Sequence, residues 1–338
     1  MIAPSRLHLD GDALVANWKL LDRMSGAAAC GAAVKADGYG LGAREVAKRL
    51  AAAGCRDFFV ASWAEGLALA DLGVAVSVLH GVRAEDPPGA PNVRPVLVSA
   101  AQVARWKPTG LVCDVMVDTG MNRLGVSAEE IAGGLLDGLA IETLLSHLVC
   151  ADEDSPMNAR QQAGFAALRG RTSAKRMSLA NSAGIALGTD YAFDLTRPGI
   201  ALYGGVQHPG HAGIRQVVTP EAQVLQRRRV RAGETVGYNA TFTAPADIDV
   251  AILNIGYADG YLRCFSGRGL ARAGDVVLPV LGRVSMDLVA IGVDAVPGLG
   301  EGDWVAMEYA LPATSALSGL SQYELLTGLG KRFDRVWF

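Results

Sequence analysis

Eight short apolar runs, at residues 29–34, 57–61, 77–80, 94–98, 113–117, 142–147, 176–179 and 193–196, constrain the fold of this chain more than any other feature. The segments between them include Ala- and Leu-rich stretches with apolar residues at helical spacing, as at 43–50 and 158–168, so strand and helix signals alternate. Such alternation is the pattern of βα units on a parallel sheet, and eight such units close into a barrel. The expected fold class is therefore α/β, with an N-terminal (β/α)8 TIM barrel. An open doubly wound sheet is the rival, but the first run is not followed by Gly-x-Gly-x-x-Gly, which a dinucleotide site would need there.

After Gly204-Gly205 the composition shifts. Residues 206–213 are rich in Gly, His and Pro and read as a linker; short strand candidates follow at 220–225, 249–255, 276–280, 288–293 and 304–307, with turns at 231–234 and 300–303. The expected division is a barrel over 1–210 and a mainly β C-terminal domain over 211–338. Ser321 followed by Glu324 is a capping box that announces one late helix carrying Leu325, Leu326 and Leu329. The 338 residues suffice for these two domains. A net charge of -3, with Arg227-Arg228-Arg229 the only basic cluster, argues against nucleic acid as a partner. Charged residues interrupt every apolar run well before the ~18 residues of a membrane span, so no membrane partner is expected. The first ten residues lack the basic and apolar parts of an export signal, which gives the cytoplasm as the expected location. Five scattered cysteines without a Cys-x-x-Cys point to buried thiols, not to a disulfide framework or a metal site.

In a barrel of this kind, chemistry gathers at the C-terminal ends of the strands, where Lys35, Asp118, His147, Asn181 and Arg197 fall. Lys35 follows a run of small residues and precedes Gly38, Tyr39 and Gly40. A lysine in a dry place beside other cations loses pKa and becomes a nucleophile, whereas a lone lysine closing a strand is more often simply solvated. Residues 181–184 and 197–200 bring small residues with free backbone N–H groups to the last two loops, where a phosphate is readily held. In the second half, Tyr257 follows a strand candidate. As a base it would require Arg or His neighbours, and otherwise it is a strand-end tyrosine with its hydroxyl in water.

The stretch VKADGYGLG at 34–42 resembles the pyridoxal-phosphate lysine motif of the alanine racemase family. DTGMNRLG at 118–125, NSAG at 181–184, RPGI at 197–200, IGYADGY at 255–261 and GRVSMD at 282–287 resemble further motifs of that family in its order, across nearly the whole chain. The resemblance implies an isomerase that interconverts L-alanine and D-alanine through a pyridoxal 5'-phosphate imine by a two-base mechanism, supplying D-alanine for peptidoglycan. Lys35 would carry the cofactor and serve as one base, and Tyr257 as the other. Tyr39, Ser182, Gly199 and Ile200 would contact the cofactor phosphate, His147 its ring, and Arg197 its pyridine nitrogen. Since arginine cannot surrender its proton there, the ring nitrogen would stay unprotonated, which disfavours transamination and decarboxylation. Arg123 and Met286 would meet the substrate carboxylate. The family's head-to-tail homodimer, with active sites shared between chains, is implied as well. Alternatives are a broader racemase of serine or basic amino acids and a non-catalytic pyridoxal-phosphate carrier, which would be a barrel alone. A fold-related decarboxylase lacks support, since no paired acidic and Cys-Glu-type motif occurs in the second domain. Four departures stand out: Met116 where many relatives carry a modified lysine that orients the arginine here numbered Arg123, Ser285 for a cysteine, Asn239 within a glycine pattern, and Lys331 for a phosphate-binding tyrosine.

Overall fold

The structure is a computed structural model that describes residues 3–87 and 89–338. It divides into two compact units, one of Ala13–Arg215 and one of Met1–Asp12 with Gln216–Phe338. The first strand, β1 (Ser5–Leu9), alternates buried and half-buried residues and belongs to the second unit, not to the barrel as the expected boundary after residue 210 had it. The expected linker also departs from its reading, because His211 within it is fully buried in the first unit.

The first unit is a ring of parallel strands. β2 (Ala29–Cys30) and β3 (Ala32–Ala33) are one run interrupted at Gly31; β4 (Asp57–Val60), β5 (Ala75–Val78), β6 (Val93–Leu97), β7 (Cys113–Met116), β8 (Ile141–Leu145) and β9 (Arg176–Ser178) pair in sequence order after β3, and β10 (Leu195–Thr196) pairs with β2. Bonds from Asp194 N–H to the Met177 carbonyl and from Arg197 N–H to the Ala180 carbonyl, at 3.0 and 2.9 Å, link β10 to β9 and close the eightfold ring. Gly31 is where the first run passes from one neighbour to the other. A Cβ there would lie 2.8 Å from the Asp57 carbonyl oxygen and 3.2 Å from that of Thr196, so only glycine lets both neighbours close. Helices such as Ala43–Ala53 cover the ring with one apolar face, here Val46, Ala47 and Leu50. Three of the five cysteines, Cys30, Cys55 and Cys113, are buried thiols.

Charge fills the N-terminal end of this barrel. Asp57, Arg94, Asp114 and Arg176 stand at the first or second residue of their strands. Arg94 pairs with Asp114 at 2.8 Å, and Arg176 pairs with Asp57 at 2.7 Å. Asp114, with no exposed surface, also accepts from Ser77 Oγ at 2.6 Å and Thr143 N–H at 2.9 Å.

In the second unit β11 (Val218–Val230) is the long spine. A register shift between Val224 and Gln226 lets its first half pair with β1 and β18 (Trp304–Met307) and its second half with β14 (Ile248–Leu253). With β12 (Thr235–Val236) and β13 (Phe242–Thr243) forming a small hairpin, the main sheet runs through β14, β17 (Val289–Gly292), β16 (Val276–Leu281), β15 (Leu270–Ala273), β18, β11, β1 and β19 (Asp334–Trp337). Because β14 pairs with β11 too, six of these strands close on themselves. The capping box at Ser321 opens the helix Gln322–Thr327 as its sequence announces.

Removing Arg94 would leave the Asp114 carboxylate buried without its ionic partner. Arg94→Ala should therefore cost about 3–5 kcal/mol of stability in urea unfolding; a change below about 1 kcal/mol would show that the charged plug does not hold the barrel end.

Candidate active site

Lys35 ends the first barrel run and opens a turn of unusual hand. Ala36, Asp37, Gly38 and Tyr39 all have positive φ, at 53°, 54°, 63° and 56°, so the chain winds through one left-handed helical turn. Local bonds support it: Gly38 N–H donates to the Val34 carbonyl and Gly40 N–H to that of Ala36, both at 2.9 Å. Asp37 Oδ1 accepts from Ala43 N–H at 2.9 Å, and Glu65 Oε1 from Ala36 N–H at 2.8 Å. A glycine turn was legible; the role of Glu65 was not. The same Glu65 caps the helix Trp63–Leu67 together with Ser62, so it joins the loops after the first and second strands.

The mouth of the barrel is cationic. The Arg197 guanidinium is buried at the end of β10, donating from Nη2 to the Ser146 carbonyl at 2.6 Å and from Nη1 to Ser178 Oγ at 2.5 Å. Burial lowers its pKa to about 10, which leaves it protonated at neutral pH. His147, half-buried after β8, is pushed down to about 3, first by burial and then by Arg197, Arg123 and Lys35, so it is a neutral imidazole. The Lys35 amine is lowered as well, first by burial and then by Arg123, with Glu65 opposing and Arg197 adding to the effect.

Four more of the expected residues, Tyr39, Ser182, Gly199 and Ile200, lie together on the loops after the first, seventh and eighth strands. Ser182 Oγ accepts from the N–H groups of Gly199 and Ala201, at 2.9 and 3.2 Å, which leaves its own proton to donate elsewhere. A Cβ on Gly199 would come within 2.2 Å of the Tyr39 hydroxyl oxygen, so only glycine lets that hydroxyl pack against the loop, and Ile200 continues the loop as a buried residue. Tyr39 stacks on Tyr203 at 4.7 Å between ring centres, and Tyr203 donates to the Ala33 carbonyl at 2.8 Å. Arg123 lies on the loop after β7, which Asp118 shapes by accepting from Gly120 and Met121 N–H groups. Met116 is buried at the end of β7, and among the described residues no hydrogen bond or ion pair holds Arg123. Sequence reasoning also missed Gln161, whose amide reaches Thr119 Oγ1 at 3.1 Å and the His147 carbonyl at 3.0 Å and so ties two of these loops together.

The remaining two expected residues, Tyr257 and Met286, belong to the second unit. There they are neighbours: Tyr257 N–H donates to the Ser285 carbonyl and Ala258 N–H to that of Met286, both at 3.0 Å. The expected cation beside Tyr257 is Arg263, whose guanidinium lies 5.1 Å from the ring centre. Met286 is 53% exposed. Among the described residues no group of three or more His, Cys, Asp and Glu is placed to hold a metal ion, and no helix is long and apolar enough to cross a membrane.

Comparison with known proteins gives one answer. Residues 9–207 match the family described as "Alanine racemase, N-terminal domain", and residues 217–337 match "Alanine racemase, C-terminal domain". An alanine racemase of Acidiphilium cryptum is 42% identical over 355 residues, covering 98% of each chain. One of Rhodospirillum rubrum is 42% identical over 358 residues, covering 98% of this chain and 96% of that one. Among solved structures, alanine racemase from Bartonella henselae with covalently bound pyridoxal phosphate superposes with a TM-score of 0.90 at 33% identity, over 99% of this chain and 100% of that one.

The state of His147 can be read from stability. Its folded pKa of about 3 lies below the ordinary 6.5, so between these values the unfolded chain takes a proton that the native site refuses. Its contribution is thus full above about pH 6.5 and lost as the pH falls toward 3. His147→Gln should flatten the acid limb of urea-unfolding stability against pH; an unaltered limb would show that His147 is not held neutral.

Proposed function

The chain belongs to the alanine racemase family, and from that premise we propose how it interconverts L-alanine and D-alanine: pyridoxal 5'-phosphate is held at the barrel mouth, and Lys35 and Tyr257 move the Cα proton on its two faces. The observation that carries this reading is the placement of Lys35, at a strand end, before a left-handed turn, with its amine lowered by burial and by Arg123. The donor set fits the cofactor. Its phosphate is an anion suited to the Ser182 hydroxyl and to the Tyr39 hydroxyl that packs against Gly199. Bound there, the cofactor would supply the electron sink that makes a Cα proton removable.

The protein's own groups do the rest. An amine whose pKa is lowered gives up its proton more readily than a solvated lysine does, and once free of it can accept one. Arg197 can only donate, so a ring nitrogen held beside it would be offered a hydrogen bond but no proton, which would keep the electron sink shallow. This favours return of the proton over other outcomes. His147, being neutral, offers a flat apolar face without adding charge. Arg123, free of carboxylate partners among the described residues, is available to a substrate carboxylate, and Met286 lies beside Tyr257 to meet the same group.

Two bases in different units must reach opposite faces of one substrate. A head-to-tail homodimer solves this if each chain lends its Tyr257 to the barrel of the other. We place this enzyme in the cytoplasm, where it supplies D-alanine for peptidoglycan.

Lys35→Ala should lose racemisation by 10³-fold or more, on the order of what a positioned acid–base group supplies. Borohydride reduction and peptide mapping of the wild type should place the cofactor on Lys35, and any other lysine would sink the assignment. Co-expressing Lys35→Ala with Tyr257→Phe, each nearly inactive alone, should restore roughly a quarter of the wild-type sites by random pairing of a two-fold dimer. No recovery in mixed dimers isolated by two affinity tags would mean that sites are not shared.

A further inference from the structure

One side chain joins the three segments that meet around Tyr257. Arg332 donates from Nε and Nη2 to the two carboxylate oxygens of Asp259, at 2.6 and 2.8 Å, and from Nη1 to Asp287 at 2.7 Å. Asp259 lies two residues after Tyr257, and Asp287 directly follows Met286. The Asp259 side chain is only 3% exposed, and its Oδ2 also accepts from Gly256 N–H at 2.9 Å. The carboxylate that Arg332 grips is thus the one that fixes the start of the Tyr257 turn.

The backbones beneath this clamp are already in contact. A Cβ on Gly256 would lie 2.3 Å from the Met286 carbonyl oxygen, and one on Gly260 would lie 2.3 Å from that of Gly328. Gly330 N–H donates to the Asp259 carbonyl at 3.0 Å. These contacts set how close the segments come, but a shear along them would still swing the phenol. An arginine that engages all three of its nitrogens in one plane blocks such a shear, because its fork is rigid and its bonds are charge-assisted. The arginine side chain is 51% exposed, so the pair adds little to global stability, and its main effect is orientation.

We propose that Arg332 is a positioning residue for proton transfer at Tyr257, acting through Asp259 and Asp287 to hold the phenol and Met286 in one register without touching the substrate. The proposal rests on Tyr257 as the second base. Under that reading one enantiomer of alanine gives its Cα proton to Lys35 and the other gives it to Tyr257. A misplaced phenol therefore slows racemisation, yet it spares exchange of the Cα proton with solvent through Lys35.

The test is Arg332→Gln in the holoenzyme, with Tyr257→Phe as reference, measuring racemisation and deuterium incorporation from each enantiomer in heavy water. Racemisation by Arg332→Gln should fall on the order of 10²-fold, the scale of a 1 Å misplacement. Exchange from one enantiomer should stay within about 3-fold of wild type while exchange from the other falls with racemisation. Arg332→Lys should give only partial recovery, since a single ammonium cannot span both carboxylates. Amide hydrogen exchange should rise at 256–260, 285–287 and 328–332 and nowhere else. Should Arg332→Gln fold poorly, Asp287→Asn opens only the exposed arm of the clamp, and it should raise amide exchange at 285–287 and lower racemisation less. If Tyr257→Phe racemises normally, the second-base reading fails and takes this inference with it. If Tyr257→Phe is inactive but Arg332→Gln keeps wild-type rates, or loses exchange from both enantiomers in parallel, only the role of Arg332 is overturned.

Discussion

The left-handed turn from Ala36 to Tyr39 is the constraint on which the candidate site depends. Left-handed backbone costs an L-residue roughly 1–2 kcal/mol, and here Ala36, Asp37 and Tyr39 all adopt it. A few kcal/mol is a large share of the roughly 5–15 kcal/mol that holds a domain folded, so the turn persists only because its surroundings over-determine it. Those surroundings are specific. Glu65 takes the first N–H of the turn, Asp37 caps the following helix, and Tyr203 supports Tyr39 from below while bonding to Ala33 just before Lys35. Glu65 ties the turn to the loop after β4 and Tyr203 ties it to β3, while Asp37 ties it to the helix that follows. The Cα of Lys35 is thereby fixed to the ring itself.

What could be read from the sequence follows the range of the interactions involved. The barrel strands were legible because most of their residues are buried in short apolar runs, a signal that needs no distant partner. Their ends were less so: the run expected at 77–80 is Ala75–Val78, because Leu79 and His80 turn away at the mouth. β1 fell on the barrel side of the expected boundary because that boundary was drawn at a single point along the chain, whereas its neighbours β11 and β19 lie more than two hundred residues on. The glycines of 38–42 announced a turn, but not its hand, since Ala36 and Asp37 ordinarily avoid that conformation. Asp259 could have been found as a local cap three residues after Gly256, whereas Arg332, 73 residues further along, carries no local signal of its pairing.

The barrel also separates its charges along its axis, and this decides what the site can do. A buried guanidinium commonly takes a carboxylate, because an unpaired charge costs several kcal/mol to bury. Arg197 bonds instead to a serine hydroxyl and to two backbone carbonyls, those of Ser146 and Leu179. Charge-assisted bonds of this kind return about 1.5–3 kcal/mol each, enough to keep the group in place but not to cancel its field. The buried carboxylates Asp57 and Asp114 are engaged at the strand starts, by Arg176 and Arg94. Had one of them bonded to Arg197, the positive field at the mouth would collapse. Arg197 would then no longer help to depress Lys35 or to hold His147 neutral. Pairing the acids with arginines at one end leaves the other end cationic, with Glu65 the carboxylate that opposes the depression of Lys35. The same closed ring thus uses its ion pairs for stability at one end and leaves its cations uncompensated at the other, where an anionic ligand and an amine of lowered pKa are needed.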